Sequence, residues 1–202
     1  MRKQFITFFL FFVISSPSVF AFSVDFYFHT DLETGIVIEK ETRFSAKPQL
    51  KANIYQGLTL FLGNYFAVES GVGCLYVNAS SLSGGVVYRG FTGIMADLRL
   101  LGRFPWGTAD TPVKLWPGMS LAAAGYYARY WLTESFFFFP ALTLQPLLDF
   151  LPGTRPPWFF RLGLPFTVYF RKDLIISAAT GLSLSISYNP FALLRKKHEK
   201  KQ

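Results

Sequence analysis

Residues 158–189 alternate large apolar side chains with small or polar ones through two successive runs, and no other feature of the chain restricts its fold as strongly. In the first run Phe160, Leu162, Leu164, Phe166, Val168 and Phe170 share one face, and Arg161, Gly163, Thr167, Tyr169 and Arg171 take the other. After Lys172 and Asp173 the pattern resumes, with Leu174, Ile176, Ala178, Leu182, Leu184, Ile186 and Tyr188 opposed to Ser177, Gly181, Ser183, Ser185 and Ser187. Successive side chains of a strand point to opposite faces, so each run builds one oily face and one wet face. Both runs exceed the roughly 9–11 residues with which a strand crosses a bilayer. Small polar residues opposite a lipid-ready surface are the pattern of a barrel wall.

Of the 202 residues, 51% are apolar. Such a content would suit helical membrane spans, yet beyond the N-terminus no stretch of about 18 residues is both apolar and charge-free. The nearest, 131–151, is broken by Glu134, Pro140, Pro146 and Asp149. Residues 1–21 read as a cleaved secretory signal: Arg2 and Lys3, an apolar core from Phe5 to Ile14, then Val19 and Ala21 at the small-residue positions before the cut; an uncleaved anchor is the alternative, since the run from Phe5 to Val24 is just long enough to span. The single cysteine, Cys74, can form no internal disulfide and falls on the apolar face of its strand. The formal charge of +8 belongs to the ends of the chain: Arg2 and Lys3 leave with the signal, and Arg195, Lys196, Lys197, Lys200 and Lys201 crowd a basic tail at 190–202. That distribution gives no support to nucleic-acid binding.

Eight segments fit a strand template: 22–29, 51–63, 65–78, 90–103, 118–131, 136–150, 158–171 and 174–189. The first sets Val24, Phe26 and Phe28 outward and Asp25, Tyr27 and His29 inward. In the third and fourth, Glu69, Gly71, Gly73, Asp97, Arg99 and Arg103 face inward, and the fifth places Gly125 and Arg129 on the face opposite Tyr126 and Tyr130. The sixth is blurred by four consecutive phenylalanines and two prolines, which mark an edge or a bulge. Residues 30–50 read as a long exposed loop of mixed charge, although Ile36 to Ile38 would also suit a strand extended above the membrane. Trp106, Trp116, Trp131 and Trp158 all fall at strand ends, as aromatic girdles do. The turns at Asn64 and Lys172 are both compact, yet they follow strands two and seven and so fall on opposite sides of the membrane. Either the second is a very short outer loop or the count is wrong, and ten strands is the alternative.

The fold class expected is therefore all-β, a closed antiparallel transmembrane barrel of about eight strands over residues 22–189. This pattern resembles the small outer-membrane barrels of the OmpW, OmpX and OmpA transmembrane-domain type. The last strand also resembles the signal read by the barrel-insertion machinery, with Gly181, Leu184, Ile186 and Tyr188 at the matching positions and Ala179 where a polar residue is expected. The resemblance implies an integral outer-membrane protein in contact with outer-membrane lipid and the insertion machinery. For function it implies a narrow passage or binding site for small apolar solutes, against the alternative of a non-conducting structural or surface-interaction barrel.

The inward faces would gather Asp25, Glu69 and Asp97 with Arg99, Arg129 and Arg161. Three acids against three arginines form either a selecting constriction or an electrostatic plug, since an unpaired charge there would be costly to desolvate. Catalysis has little to rest on. His29 would have to meet Ser80, Ser81 or Ser83 at the outer rim, in no recognised spacing, and there is no metal, phosphate-loop or dinucleotide motif. The expectation is a protein that is not an enzyme and carries no catalytic residue, metal or cofactor.

Overall fold

A computed structural model describes residues 24–40, 48–78, 80–81, 87–88, 90–106, 112–130, 135–152, 156–171 and 176–192. In chain order the strands are β1 (Val24–Lys40), β2 (Gln49–Leu62), β3 (Phe66–Val77), β4 (Ser80–Ser81), β5 (Val87–Tyr88), β6 (Phe91–Arg103), β7 (Lys114–Tyr130), β8 (Phe136–Leu151), β9 (Trp158–Gly163), β10 (Phe166–Tyr169) and β11 (Ile176–Tyr188). Strands β4 and β5 pair only with each other. The rest form one antiparallel sheet in the order β1-β2-β3-β6-β7-β8, then β9 and β10, then β11, which pairs back onto β1 and closes the cylinder. Both β9 and β10 lie between β8 and β11, so they are one stave interrupted at Leu164 and Pro165. Eight staves result, and the ten-stranded alternative does not hold.

Register fixes the shape of the cylinder. Tyr27 pairs with Thr59, and the path continues through Glu69, Arg99, Ala122, Thr143, Thr167 and Ala179 to Val37. One circuit therefore climbs ten residues of β1, from 27 to 37. A stagger of this kind tilts the strands by about 35–45° and leaves a bore that side chains can fill. Connections alternate ends: the turn at 63–65, the start of β1 and the end of β11 share one end, here the terminal end. β11 begins at the other, far end, where Ile176 pairs with Lys40. The count of eight therefore holds with the two turns on opposite sides, and the turn at Lys172 itself lies outside the described residues. Gly63, at φ +74° with open space around it, takes the left-handed position that tightens the turn after β2.

Two expectations are corrected. Residues 30–50 are not a long loop, because β1 runs on to Lys40 and β2 begins at Gln49. The charges that suggested a loop are the inward members of a continuing alternation, Asp31, Glu33 and Glu39 against Leu32, Ile36 and Ile38. Nor do Pro140 and Pro146 create bulges, since β8 pairs with β7 one residue to one from Phe136 to Leu151. Both proline carbonyls still accept bonds, from Phe170 N–H (2.9 Å) and Leu164 N–H (2.9 Å), and only the missing N–H groups thin the ladder toward the interrupted stave. Outward side chains are apolar around the cylinder, as with Ile54, Leu98 and Leu184, each about half exposed. Among the described residues no helix is long and apolar enough to cross a membrane.

Candidate functional site

The inward positions of the eight staves fill the lumen in three layers. At the terminal end Tyr27, Phe61 and Phe159 pack edge to face, with centroids 5.1–6.0 Å apart. The Arg103 guanidinium lies 3.9 Å above the Phe61 ring. Toward the far end Tyr126 and Phe139 stack in parallel at 5.0 Å, and Tyr169 meets both edge to face. Phe91 and Phe137 extend this layer, and Arg171 lies over them while pairing with Glu39 and Tyr130. Aromatic rings in these offset and edge arrangements add to the gain from burial itself.

Between the caps lies a charge network. Arg161 donates from Nε and Nη2 to the two oxygens of Asp149 (2.7 and 3.3 Å) and from Nη1 to Glu69 Oε1 (2.6 Å). Arg99 reaches Asp31 (3.3 Å), Asp97 (3.2 Å) and Glu69 Oε2 (3.6 Å), and Arg103 donates to Asp149 (2.7 Å). Neutral groups complete it. Tyr55 donates its hydroxyl to Asp97, Thr59 donates to Glu69 at 3.2 Å, and His29 Nδ1 lies 2.8 Å from Thr59 Oγ1. Gln145 accepts from Arg99 (3.4 Å) and donates to Ser183 (2.6 Å). Gly57 and Gly71 make room for this arrangement: a Cβ on Gly57 would come within 2.9 Å of the His29 ring, and one on Gly71 within 2.8 Å of the Tyr55 ring. The network is closed off. Side-chain exposure is 2% for Arg161 and 0% for Glu69 and Asp149.

The structure brings Glu69, Asp97, Arg99 and Arg161 together in the middle layer. Asp25 faces inward one step below Tyr27, beside Phe61 at the terminal end and apart from that layer. Arg129 does not face the lumen. In β7 the inward residues are Ala122, Tyr126 and Ala128, so Arg129 points outward over the Phe136 ring, 5.8 Å away. Trp106 and Trp158 are exposed near the terminal end, but Trp116 turns inward with Gly118 and packs against the lower cap; Trp131 lies outside the described residues. On the closing stave Leu184, Ile186 and Tyr188 face outward, while Gly181 faces Gly35 across the β1 junction. His29 is inside the lumen, because β1 continues eleven residues past it, and it is not at the rim with Ser80 and Ser81. Sequence reasoning missed Asp31, inside the presumed loop, and Asp149, inside the proline-blurred strand. The period-two pattern carried past His29 and through Pro146 would have found both.

Among solved structures the chain is similar to neisserial surface protein A, at 15% identity and a TM-score of 0.54, over 83% of this chain and 99% of that one. The fold is that of a small outer-membrane barrel. A major outer membrane protein of Thermus thermophilus is 12% identical with a TM-score of 0.49, covering 82% of this chain and 98% of that one. The Ail attachment invasion protein of Yersinia pestis is 12% identical with a TM-score of 0.43, covering 81% and 98%. No protein-family model and no curated protein matches the sequence.

Proposed function

We propose that the chain is an integral outer-membrane barrel that does not conduct, and that it serves as a structural or surface-interaction module. The terminal end faces the periplasm in this reading and the far end faces outward. One observation carries it: the charged middle layer is sealed from both ends by aromatic layers, with Arg161, Glu69 and Asp149 at 2%, 0% and 0% side-chain exposure. A passage for hydrated solutes needs water-sized space along the axis, and a passage for apolar solutes would have to route them across buried charges, at a high cost in desolvation. The filled bore thus favours the second of the two roles open to the sequence. Eight-stranded barrels are the size at which side chains can fill the interior. Proteoliposomes carrying the refolded protein should not swell in small sugars or amino acids, and the expressed chain should fractionate with the outer membrane. Swelling above protein-free vesicles would restore the narrow-passage reading.

A further inference from the structure

The outward face of β2 is apolar except at its middle. Gln56 points out from the wall there, seven residues past Gln49 and six short of Leu62, and it is exposed. Apolar outward residues flank it along the strand, Leu50 and Ile54 toward the far end and Leu58 toward the terminal end. The neighbouring staves place it at the same depth. Its partner on β1, Thr30, stands outward between Phe28 and Leu32, and its partner on β3, Val72, stands between Ser70 and Cys74. No described residue hydrogen-bonds the Gln56 amide.

An amide carries an acceptor oxygen and an NH2 group with two donors. Halfway along a membrane strand neither water nor hydrocarbon can match them, and lipid headgroups lie at the two ends of the wall. An acyl chain over Gln56 would therefore leave it unsatisfied, whereas a second amide would both donate to it and accept from it. Copies of one chain inserted in one membrane share an orientation, so a twofold axis between two of them runs along the membrane normal. Each residue on the contact line then meets its own copy at its own depth. Two Gln56 side chains across such an axis complete each other, the N–H of each donating to the carbonyl oxygen of the other. Thr30 and Ser70 beside them are small and exposed, which lets two walls approach closely.

We infer that two copies of this chain pair in the membrane through the wall formed by β1, β2 and β3, with Gln56 against Gln56 at the centre. The pairing rests on the membrane placement proposed above and is independent of whether the lumen is closed. Flotation of the refolded full chain with phospholipid vesicles separates the two claims. A chain that does not float would overturn the membrane placement and the pairing with it. A chain that floats is then followed in density-matched neutral detergent by sedimentation equilibrium. It should show a reversible equilibrium of monomer and dimer, and Gln56→Leu should weaken the dimer roughly tenfold, the scale of two hydrogen bonds within a membrane. Leucine suits a lipid-facing position, so this variant should fold and resist urea at least as well as the native chain. Ser70→Trp, which adds bulk beside the amide, should leave monomer, and Leu184→Trp on the outward face of β11 should leave the dimer unchanged. A floating chain that sediments only as monomer, or a dimer indifferent to Gln56→Leu, would overturn the pairing alone. A monomer that retains one lipid molecule in native mass spectrometry would overturn it too, and would give this face to lipid.

Discussion

Arg161 and Glu69 in the middle of the lumen, and Tyr126 and Phe139 toward its far end, are buried to the same degree but held in different ways. The middle pair depends on charge. Arg161 touches two carboxylates, so its removal leaves the middle layer one cation short, with Asp149 held by Arg103 alone and Glu69 by Thr59 and a 3.6 Å approach of Arg99, in a place that excludes water. The far-end pair depends on shape, and losing a ring leaves a void that its neighbours can partly close. Burial alone therefore does not say what a residue contributes, because the cost of losing it depends on what remains behind.

Arg161→Ala should show the larger effect, a loss of about 3–5 kcal/mol in urea unfolding from lipid vesicles. A loss under about 1 kcal/mol would mean that water reaches the middle layer and that the two regions do not differ as described. Phe139→Ala should follow, at about 3 kcal/mol, from lost packing plus the residual cavity. Its effect should not depend on ionic strength, and a marked salt dependence would show that the far cap also rests on the nearby Arg171–Glu39 pair. The smallest changes should come from side chains on which neither region depends. Ser185 Oγ makes no hydrogen bond among the described residues, and Arg129 lies on the outer wall, so Ser185→Ala and Arg129→Ala should each stay within about 0.5 kcal/mol. An Arg129→Ala loss comparable to that of Arg161→Ala would return Arg129 to the lumen and shift the register of β7 by one residue.

Much of this was legible in the chain because alternation is local: the inward sets of β2, β3, β6 and β11 can be read two residues at a time. The errors arose where local chemistry imitates something else. Asp31, Glu33 and Glu39 look like loop charges until their partners are known, and those partners, Arg99, Lys51 and Arg171, lie on other staves. Arg129 was misplaced because glycine and alanine dominate the middle of β7 and leave its faces hard to tell apart. Pro140 and Pro146 suggested a broken strand, whereas their outward positions and the interruption at Pro165 let the ladder continue. The layering of the lumen depends on the ten-residue stagger around the barrel, which no single strand encodes.

The central claim is that the lumen is closed, and that its charged middle layer keeps it closed even when the aromatic caps are opened. Single-channel recording of the refolded barrel in a planar bilayer tests it most directly. The native chain should show no steady conductance above the bare membrane across a wide voltage range, and a combined Phe139→Ala and Phe159→Ala variant, opening both caps, should remain closed while Arg161 holds Glu69 and Asp149. Reproducible, voltage-independent openings of the native chain would contradict the account.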